Sequence, residues 1–152
     1  MTCKVQHGIQ LAAETGAKWF CHVDDDTFVN FEKLEKLLGS FDSSKMIYVG
    51  KQSIPQGIKL NSKTVHFATG GAGWCLSSPL VGKLAVQNLV EEAKRLGLPD
   101  DVTVGALVGD LGVAMTDVYA FHSHLEGLQW LNSPENEVRN YHDYKCFDLL
   151  PK

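Results

Sequence analysis

The chain has 152 residues and a formal net charge of −4 at pH 7, so we predict one domain over residues 1–152 with a sizeable core. The acidic balance argues against a nucleic-acid binder, because binding to a phosphate backbone needs a basic face. No stretch approaches the roughly 20 apolar residues of a membrane helix, and the first residues lack a signal-peptide pattern, so we expect any targeting segment outside this chain.

Helical and extended patterns alternate along the chain. The first half predicts a helix that Thr2 caps and Gly16 ends, a strand over 18–23, a helix between Asn30 and Gly39, a strand over 46–50 and a surface loop over 51–62. The second half predicts extended segments over 65–69 and 74–76, one helix from Ser78 to a stop at Gly97, a helix over 102–111 and a strand over 113–119. This alternation predicts the α/β class, with a mixed sheet flanked by helices.

Three consecutive carboxylates, Asp24, Asp25 and Asp26, follow the first predicted strand. Adjacent acids repel one another, so a bound cation, or a ligand that carries one, is the expected compensation. Because strand side chains alternate, we expect Asp24 and Asp26 to share one face, so that at most two of the three meet one ion. The alternative is a solvated acidic turn.

Two further polar clusters stand at the ends of later elements, which is where α/β folds place ligand sites. Asp100 and Asp101 precede the helix over 102–111, and His122 and His124 follow the last predicted strand. Carboxylate oxygens with one imidazole favour Mn²⁺, and a diphosphate would suit its open coordination positions. The alternatives are an N-cap at Asp100 and histidines that lie at the surface or bond within the core.

A run of small residues connects two extended segments and consists of Gly70, Gly71, Ala72 and Gly73. Few side chains there would hold a ligand away, so the backbone can be approached closely. A tight turn is the alternative.

The four cysteines, Cys3, Cys21, Cys75 and Cys146, lack the spacing of a zinc site. Cys21 and Cys75 fall in two predicted extended segments and could pair in an oxidising compartment. Buried free thiols in a reduced protein remain the alternative at this point.

Five motifs follow one another between Trp19 and Leu128, namely WFCHVDDDTFVN at 19–30, YVGK at 48–51, HFATGGAGWC at 66–75, LPDDVTVG at 98–105 and FHSHLE at 121–126. Together, in this order, they resemble the Fringe glycosyltransferases, which belong to the β1,3-linking, metal-dependent transferases with the GT-A fold. The resemblance implies a GT-A-like, Rossmann-like mixed sheet. The chain would begin inside the family's catalytic domain, so we expect a partial domain that is incomplete at its N-terminus.

The resemblance also implies an activity. The expected enzyme is a β1,3-N-acetylglucosaminyltransferase that uses Mn²⁺ and transfers GlcNAc from UDP-GlcNAc to O-linked fucose on EGF-like repeats. Its partners would be Notch-type receptors, and its location the Golgi lumen, as a type II membrane protein if full length. The alternatives are a related β1,3-galactosyl- or glucosyltransferase, a glycosidase and a catalytically inactive fragment that binds a sugar or metal.

Each motif position carries a family role onto a residue of this sequence. On the metal side, the resemblance implies that Asp26 and His124 coordinate Mn²⁺ and that Asp24 and Asp25 line the UDP and metal site. On the sugar side, it implies that Asp101 is the catalytic base and that the donor is bound by Gly70, Gly71, Ala72, Gly73 and Asp100. It further implies a family disulfide between Cys21 and Cys75.

Overall fold

The computed structural model describes residues 2–123 of the chain. The first half contains α1 (Thr2–Thr15), β1 (Trp19–His22), α2 (Phe31–Leu38), β2 (Tyr48–Gly50), β3 (Ile58–Leu60) and β4 (Lys63–Val65). The second half contains a 3₁₀ turn (Gly70–Ala72), β5 (Trp74–Ser77), α3 (Ser78–Ala85), α4 (Leu89–Leu96), α5 (Asp100–Asp110) and β6 (Met115–Asp117). Among these described helices, none has the length and apolar character needed to cross a bilayer.

Four strands form one mixed sheet in the order β1-β5-β2-β6. Strand β5 runs antiparallel to both β1 and β2, whereas β2 and β6 run parallel. All four residues of β5 are buried, as expected of a strand with neighbours on both edges and cover on both faces. Strands β3 and β4 form a separate antiparallel hairpin.

Alternate side chains of β5 divide the core into two layers. Trp74 and Leu76 lie in a cluster with apolar residues of α1, α3, α4 and α5. Cys75 lies in a second cluster with Leu34 and Leu38 of α2. Helices therefore cover both faces of the sheet, and the predicted α/β class with a mixed, helix-flanked sheet is confirmed.

A disulfide joins the two strands nearest the acidic residues. Cys21 of β1 stands directly opposite Cys75 of β5 in the antiparallel register, with a Cα–Cα distance of 4.1 Å, and the two form a disulfide. The predicted pair is confirmed, and the alternative of two buried free thiols is wrong. Such a bond persists in an oxidising compartment.

The predicted single helix from Ser78 to Gly97 is wrong, because the chain breaks between α3 and α4. Val86 ends α3 and is 86% exposed, so its apolar side chain contributes little to the core. Asn88 then caps α4, where its side chain accepts a hydrogen bond from the N–H of Glu91 at 3.1 Å. An N-cap residue within the apolar pattern therefore starts a new helix.

The predicted surface loop over 51–62 is wrong in its second half. Ile58–Leu60 forms β3 and pairs with β4, so a short hairpin replaces the loop there. Asn61 takes a positive φ of 54° at the hairpin turn, a conformation that asparagine tolerates better than most residues.

Candidate active site

The three consecutive acids lie at the carboxyl end of β1, as predicted, but they occupy a turn. The N–H of Thr27 donates to the carbonyl of Asp24 at 3.1 Å and closes this turn. Asp24 is half-buried, whereas Asp25 and Asp26 are exposed. The expectation that Asp24 and Asp26 share a strand face is wrong, because β1 ends at His22 and strand alternation does not extend into the turn.

The turn over residues 24–27 is called the acid turn below. The 3₁₀ turn at Gly70–Ala72 brings the acid turn and the start of α5 together. The N–H of Gly70 donates to Oδ2 of Asp101 at 3.2 Å. On the other side, the Thr27 hydroxyl donates a long hydrogen bond, 3.5 Å, to the carbonyl of Gly71. A Cβ added at Gly70 would lie 3.7 Å from Oδ2 of Asp24 and 3.9 Å from Oδ2 of Asp101. Two carboxylates that are distant in sequence therefore border one glycine.

Asp101 is half-buried in the first turn of α5, and backbone amides hold both of its oxygens. Oδ1 accepts from the N–H of Val102 at 2.8 Å, and Oδ2 accepts from Gly70. Burial raises the pKa of Asp101 above the ordinary carboxyl value; the two amide donors oppose this rise, and the neighbouring Asp100 adds to it. A carboxylate with a raised proton affinity, held in a fixed direction, is suited to act as a general base.

Asp100 and Trp74 each carry a buried polar atom that finds no partner among residues 2–123. Oδ1 of Asp100 accepts from the N–H of Asp101 at 3.2 Å. Oδ2 of Asp100 and Nε1 of Trp74 have no hydrogen-bond partner within the described part of the chain.

One cavity of about 250 Å³ connects these features. It extends from the acid turn to the first turn of α5 and passes over the 3₁₀ turn. Its walls are formed by His22, Asp24, Thr69, Gly70, Gly71, Trp74, Pro99, Asp100 and Asp101. Five of the predicted site residues, Asp24, Gly70, Gly71, Asp100 and Asp101, therefore come together around it.

The other two members of the predicted small-residue segment, Ala72 and Gly73, are not among the residues that line the cavity. Ala72 is 0% exposed and packs in the core cluster beside α2. Gly73 has a φ of +77°, and a Cβ there would lie 2.9 Å from Cγ1 of Val23 and 3.0 Å from the carbonyl oxygen of His22. Gly73 thus permits the start of β5 to approach the residues just before the acid turn.

His22 also lines the cavity, although it is not among the site residues predicted from the sequence. Its Nε2 lies 3.6 Å from Oδ1 of Asp24, and its ring centroid lies 5.1 Å from that of Trp74. The available signal was its place at the end of a predicted strand, two residues before the first acid. Its pairing with Trp74 across β1 and β5 required the sheet register.

The donor chemistry of the acid turn fits a divalent cation such as Mn²⁺, because carboxylate oxygens lie beside an imidazole. Within residues 2–123, no three His, Cys, Asp or Glu side chains form a group that could hold a metal ion. A diphosphate could supply further oxygens to an ion at this position. His124, the predicted second metal ligand, lies outside the described residues, and the ring of His122 packs against Tyr119.

Comparisons with known proteins agree on one family. A family model described as Fringe-like matches residues 1–145. β-1,3-N-acetylglucosaminyltransferase lunatic fringe of Homo sapiens is 40% identical over 97% of this chain and 43% of its own length. Lunatic fringe of Danio rerio is 38% identical over the same shares, and radical fringe of Gallus gallus is 41% identical over 86% of this chain and 39% of its own. The chain spans about two fifths of the length of these relatives.

Proposed function

Because the chain belongs to the Fringe-like family, we propose that it carries the catalytic base and the metal-side carboxylates of a β1,3-N-acetylglucosaminyltransferase. The reaction is the inverting transfer of GlcNAc from UDP-GlcNAc to O-linked fucose on EGF-like repeats of Notch-type glycoproteins. The observation that carries this proposal is the meeting of Asp24 and Asp101 at Gly70, around one cavity.

Asp101 is the base in this scheme. In an inverting displacement, a carboxylate takes the proton of the acceptor hydroxyl as the hydroxyl oxygen attacks the anomeric carbon. The amides of Gly70 and Val102 keep the carboxylate in place before the acceptor arrives. The proton ends on Asp101, and UDP leaves from the opposite side of the sugar.

In this scheme, the acid turn binds the diphosphate and the metal ion. Asp26 would hold Mn²⁺ with His124 as the second ligand, while Asp24 and Asp25 would line the UDP and metal site. When bound, the ion supplies the positive charge that stabilises the leaving diphosphate. Exposure of Asp25 and Asp26 is compatible with this role, since a ligand can reach their oxygens without a rearrangement of the core.

The proposed location is the Golgi lumen. It is supported by the disulfide between Cys21 and Cys75, because such bonds are rare in reducing compartments.

The deciding experiment compares Asp101→Asn with the wild-type chain. We expect Asp101→Asn to bind UDP and Mn²⁺ normally in titration calorimetry and to lose transfer to an O-fucosylated EGF repeat by about a hundredfold to ten-thousandfold, the usual contribution of a general base. Undiminished transfer would exclude Asp101 as the base. Asp110→Asn, at the other end of the same helix, is the matched control, because Asp110 pairs with Lys63 at the surface.

A second variant tests the metal side. Asp26→Ala removes the proposed ligand, so the affinity for UDP should fall in the presence of Mn²⁺ and stay unchanged in its absence. Equal affinities of wild type and variant under both conditions would remove Asp26 from the metal site.

A glycosidase is the second candidate. Glycosidases also use a pair of carboxylates, and here Asp24 and Asp101 both lie near Gly70. Parallel assays with UDP-GlcNAc, UDP-Glc and UDP-Gal, each with and without the EGF acceptor, separate the candidates. Transfer should require the acceptor and prefer UDP-GlcNAc. Sugar release at the same rate without the acceptor would favour hydrolysis, and UDP binding without any turnover would favour an inactive sugar- and metal-binding chain.

A further inference from the structure

A second cavity, of about 420 Å³, lies beside α5 and is larger than the one at the proposed active site. Its lining includes Gly105, Ala106, Gly109 and Asp110 of α5, all three residues of β4, and residues 113–115, which lead into β6. The first three of these carry nothing larger than a methyl group, which leaves open space between the helix and the two strands. This cavity is called the α5 groove below.

One helix and one chain segment join the α5 groove to the proposed active site. Asp101 and Gly105 are one turn apart on the same face of α5, and successive turns are roughly 5.4 Å apart. The segment over residues 66–70 runs alongside the helix. The N–H of Gly70 donates to Oδ2 of Asp101 at 3.2 Å, and the carbonyl oxygen of His66 lies 2.9 Å from the Cβ position of Gly105. The groove therefore begins about one helical turn from the proposed base.

This spacing fits the linkage of the proposed acceptor. In an inverting displacement, the acceptor approaches from the side opposite to the leaving diphosphate, and therefore away from the acid turn. When a hydroxyl of an O-linked fucose lies at Asp101, the polypeptide is attached one sugar ring further out. The breadth of one sugar ring is comparable with one helical turn. The residue that carries the fucose then lies beside the start of the α5 groove.

The lining of the groove favours a polypeptide over a second carbohydrate. Nε2 of Gln52 donates to two backbone carbonyls and lies 3.0 Å from Nδ1 of His66. Lys63 pairs with Asp110, so neither of these two side chains is assigned a contact with the ligand. Apart from Thr64, the remaining lining is apolar or glycine. The hydroxyls around a sugar ring would need polar partners of their own, whereas an apolar side chain needs none.

Two strand edges also border the groove. Among the described residues, β6 stands at the end of the four-stranded sheet and β4 pairs with β3 alone. An edge strand presents unpaired N–H and C=O groups, and a polypeptide in extended conformation is the ligand that pairs with such groups.

We propose that the α5 groove binds the polypeptide of the acceptor, as an extended stretch next to the fucosylated residue that places one apolar side chain beside Ala106 and Gly109. This inference rests on the proposed function, because it takes Asp101 as the base and a fucosylated protein as the acceptor. It assigns recognition of the protein part of the acceptor to a surface separate from the cavity that contains the carboxylates.

Gly109→Leu in the full chain tests the proposal by filling the groove. Gly109 lies one turn beyond Gly105 on the same face of α5, and a Cβ there would meet no atom within 4 Å, so the variant should fold. Transfer is measured with an O-fucosylated EGF repeat and with p-nitrophenyl α-fucoside, which has no polypeptide. We expect KM for the EGF repeat to rise about tenfold or more, the value of burying one apolar side chain. The kcat/KM for the fucoside should stay at the wild-type value.

Gly82→Leu is the matched control, because Gly82 is an exposed helical glycine of α3 whose added Cβ would also meet no atom within 4 Å. It should leave KM for both acceptors unchanged. A second measurement uses the same EGF repeat without fucose, which should inhibit transfer by the wild type competitively and inhibit Gly109→Leu more weakly.

The outcomes separate this inference from the proposed function. An unchanged KM of Gly109→Leu for the EGF repeat, or an equal rise for both acceptors, would overturn the inference and leave the Asp101→Asn result standing. A wild-type dimer in light scattering that Gly109→Leu converts to a monomer would instead assign the groove to a second copy of the chain. A wild-type chain that transferred sugar to neither acceptor would overturn the proposed function itself.

Discussion

Gly73→Ala tests how tightly the start of β5 is fitted against the residues before the acid turn. Gly73 has φ 77° and ψ 163°, a backbone region that is essentially restricted to glycine. An added Cβ would also lie 2.9 Å from Val23 and 3.0 Å from the carbonyl oxygen of His22. Strain of this kind costs about 1–3 kcal/mol and overpacking about 1–3 kcal/mol, so we expect the free energy of unfolding to fall by about 2–6 kcal/mol.

Urea unfolding followed by tryptophan fluorescence measures this loss. Gly97→Ala is the matched control: Gly97 has φ 66° and ψ 30°, and a Cβ there would meet no atom within 4 Å. The free energy of unfolding of Gly97→Ala should therefore fall only by the cost of a left-handed alanine, about 1–2 kcal/mol. Equal losses in the two variants, with equal m-values, would refute the close-approach argument at Gly73.

Three further predictions concern the disulfide, the core and the base. Replacing Cys21 and Cys75 by alanine opens a loop with a sequence separation of 54 and should lower the free energy of unfolding by about 4 kcal/mol on the chain-entropy model. Reduction of the disulfide in the wild type should lower the free energy of unfolding by the same amount. An unchanged urea midpoint in the double variant would contradict this prediction. Tyr48→Phe removes the hydroxyl that accepts from the buried N–H of Ala68 at 2.9 Å, so a loss of about 1–3 kcal/mol is expected in the same assay, and a neutral change would mean that this N–H finds another acceptor. Because the raised pKa of Asp101 must be exceeded before it can act as a base, the acid limb of kcat/KM should have its midpoint above the ordinary aspartate value of 3.8, and a limb at or below that value would exclude the assignment.

The same raised pKa has a consequence for stability. The folded chain holds the proton of Asp101 more tightly than the unfolded chain, so this residue stabilises the fold below the unfolded pKa. That stabilisation is lost as the pH rises through the folded pKa. As the proposed base, Asp101 would therefore be charged in its working state at a cost to the fold, which is expected where a carboxylate is partly buried for its chemistry.

Local sequence signals were sufficient for most helix boundaries. The sequence predicts Asn30 as the cap of α2, and its side chain accepts from the N–H of Lys33 at 3.0 Å. Asn88 is the same kind of signal, but apolar residues continue at helical spacing on both sides of it, so the pattern there predicts one helix instead of two. The break at Val86 could not be derived from that spacing alone, since an exposed apolar residue still fits the pattern.

The convergence of the site was only partly predictable. Asp24 follows a predicted strand and Asp101 precedes a predicted helix, and such positions predict that both belong to one site. In the structure, both carboxylates lie near Gly70. The directions of the acidic side chains could not be derived from strand alternation, because the chain turns immediately after β1. The roles of His22 and Trp74 depend on the register between β1 and β5, which is a non-local property.

The relative position of Asp24 and Asp101 is controlled by one short segment, from Gly70 to Cys75. At its first residue, the N–H of Gly70 holds Asp101. At its last residue, the disulfide fixes β5 to β1 directly before the acid turn. Because both ends of the segment are attached to elements of the core, the relative position of the two acids stays constant even though the acids share no large interface. Changes within this segment should therefore displace both carboxylates relative to each other, whereas changes on the outer face of α2 should leave their separation intact.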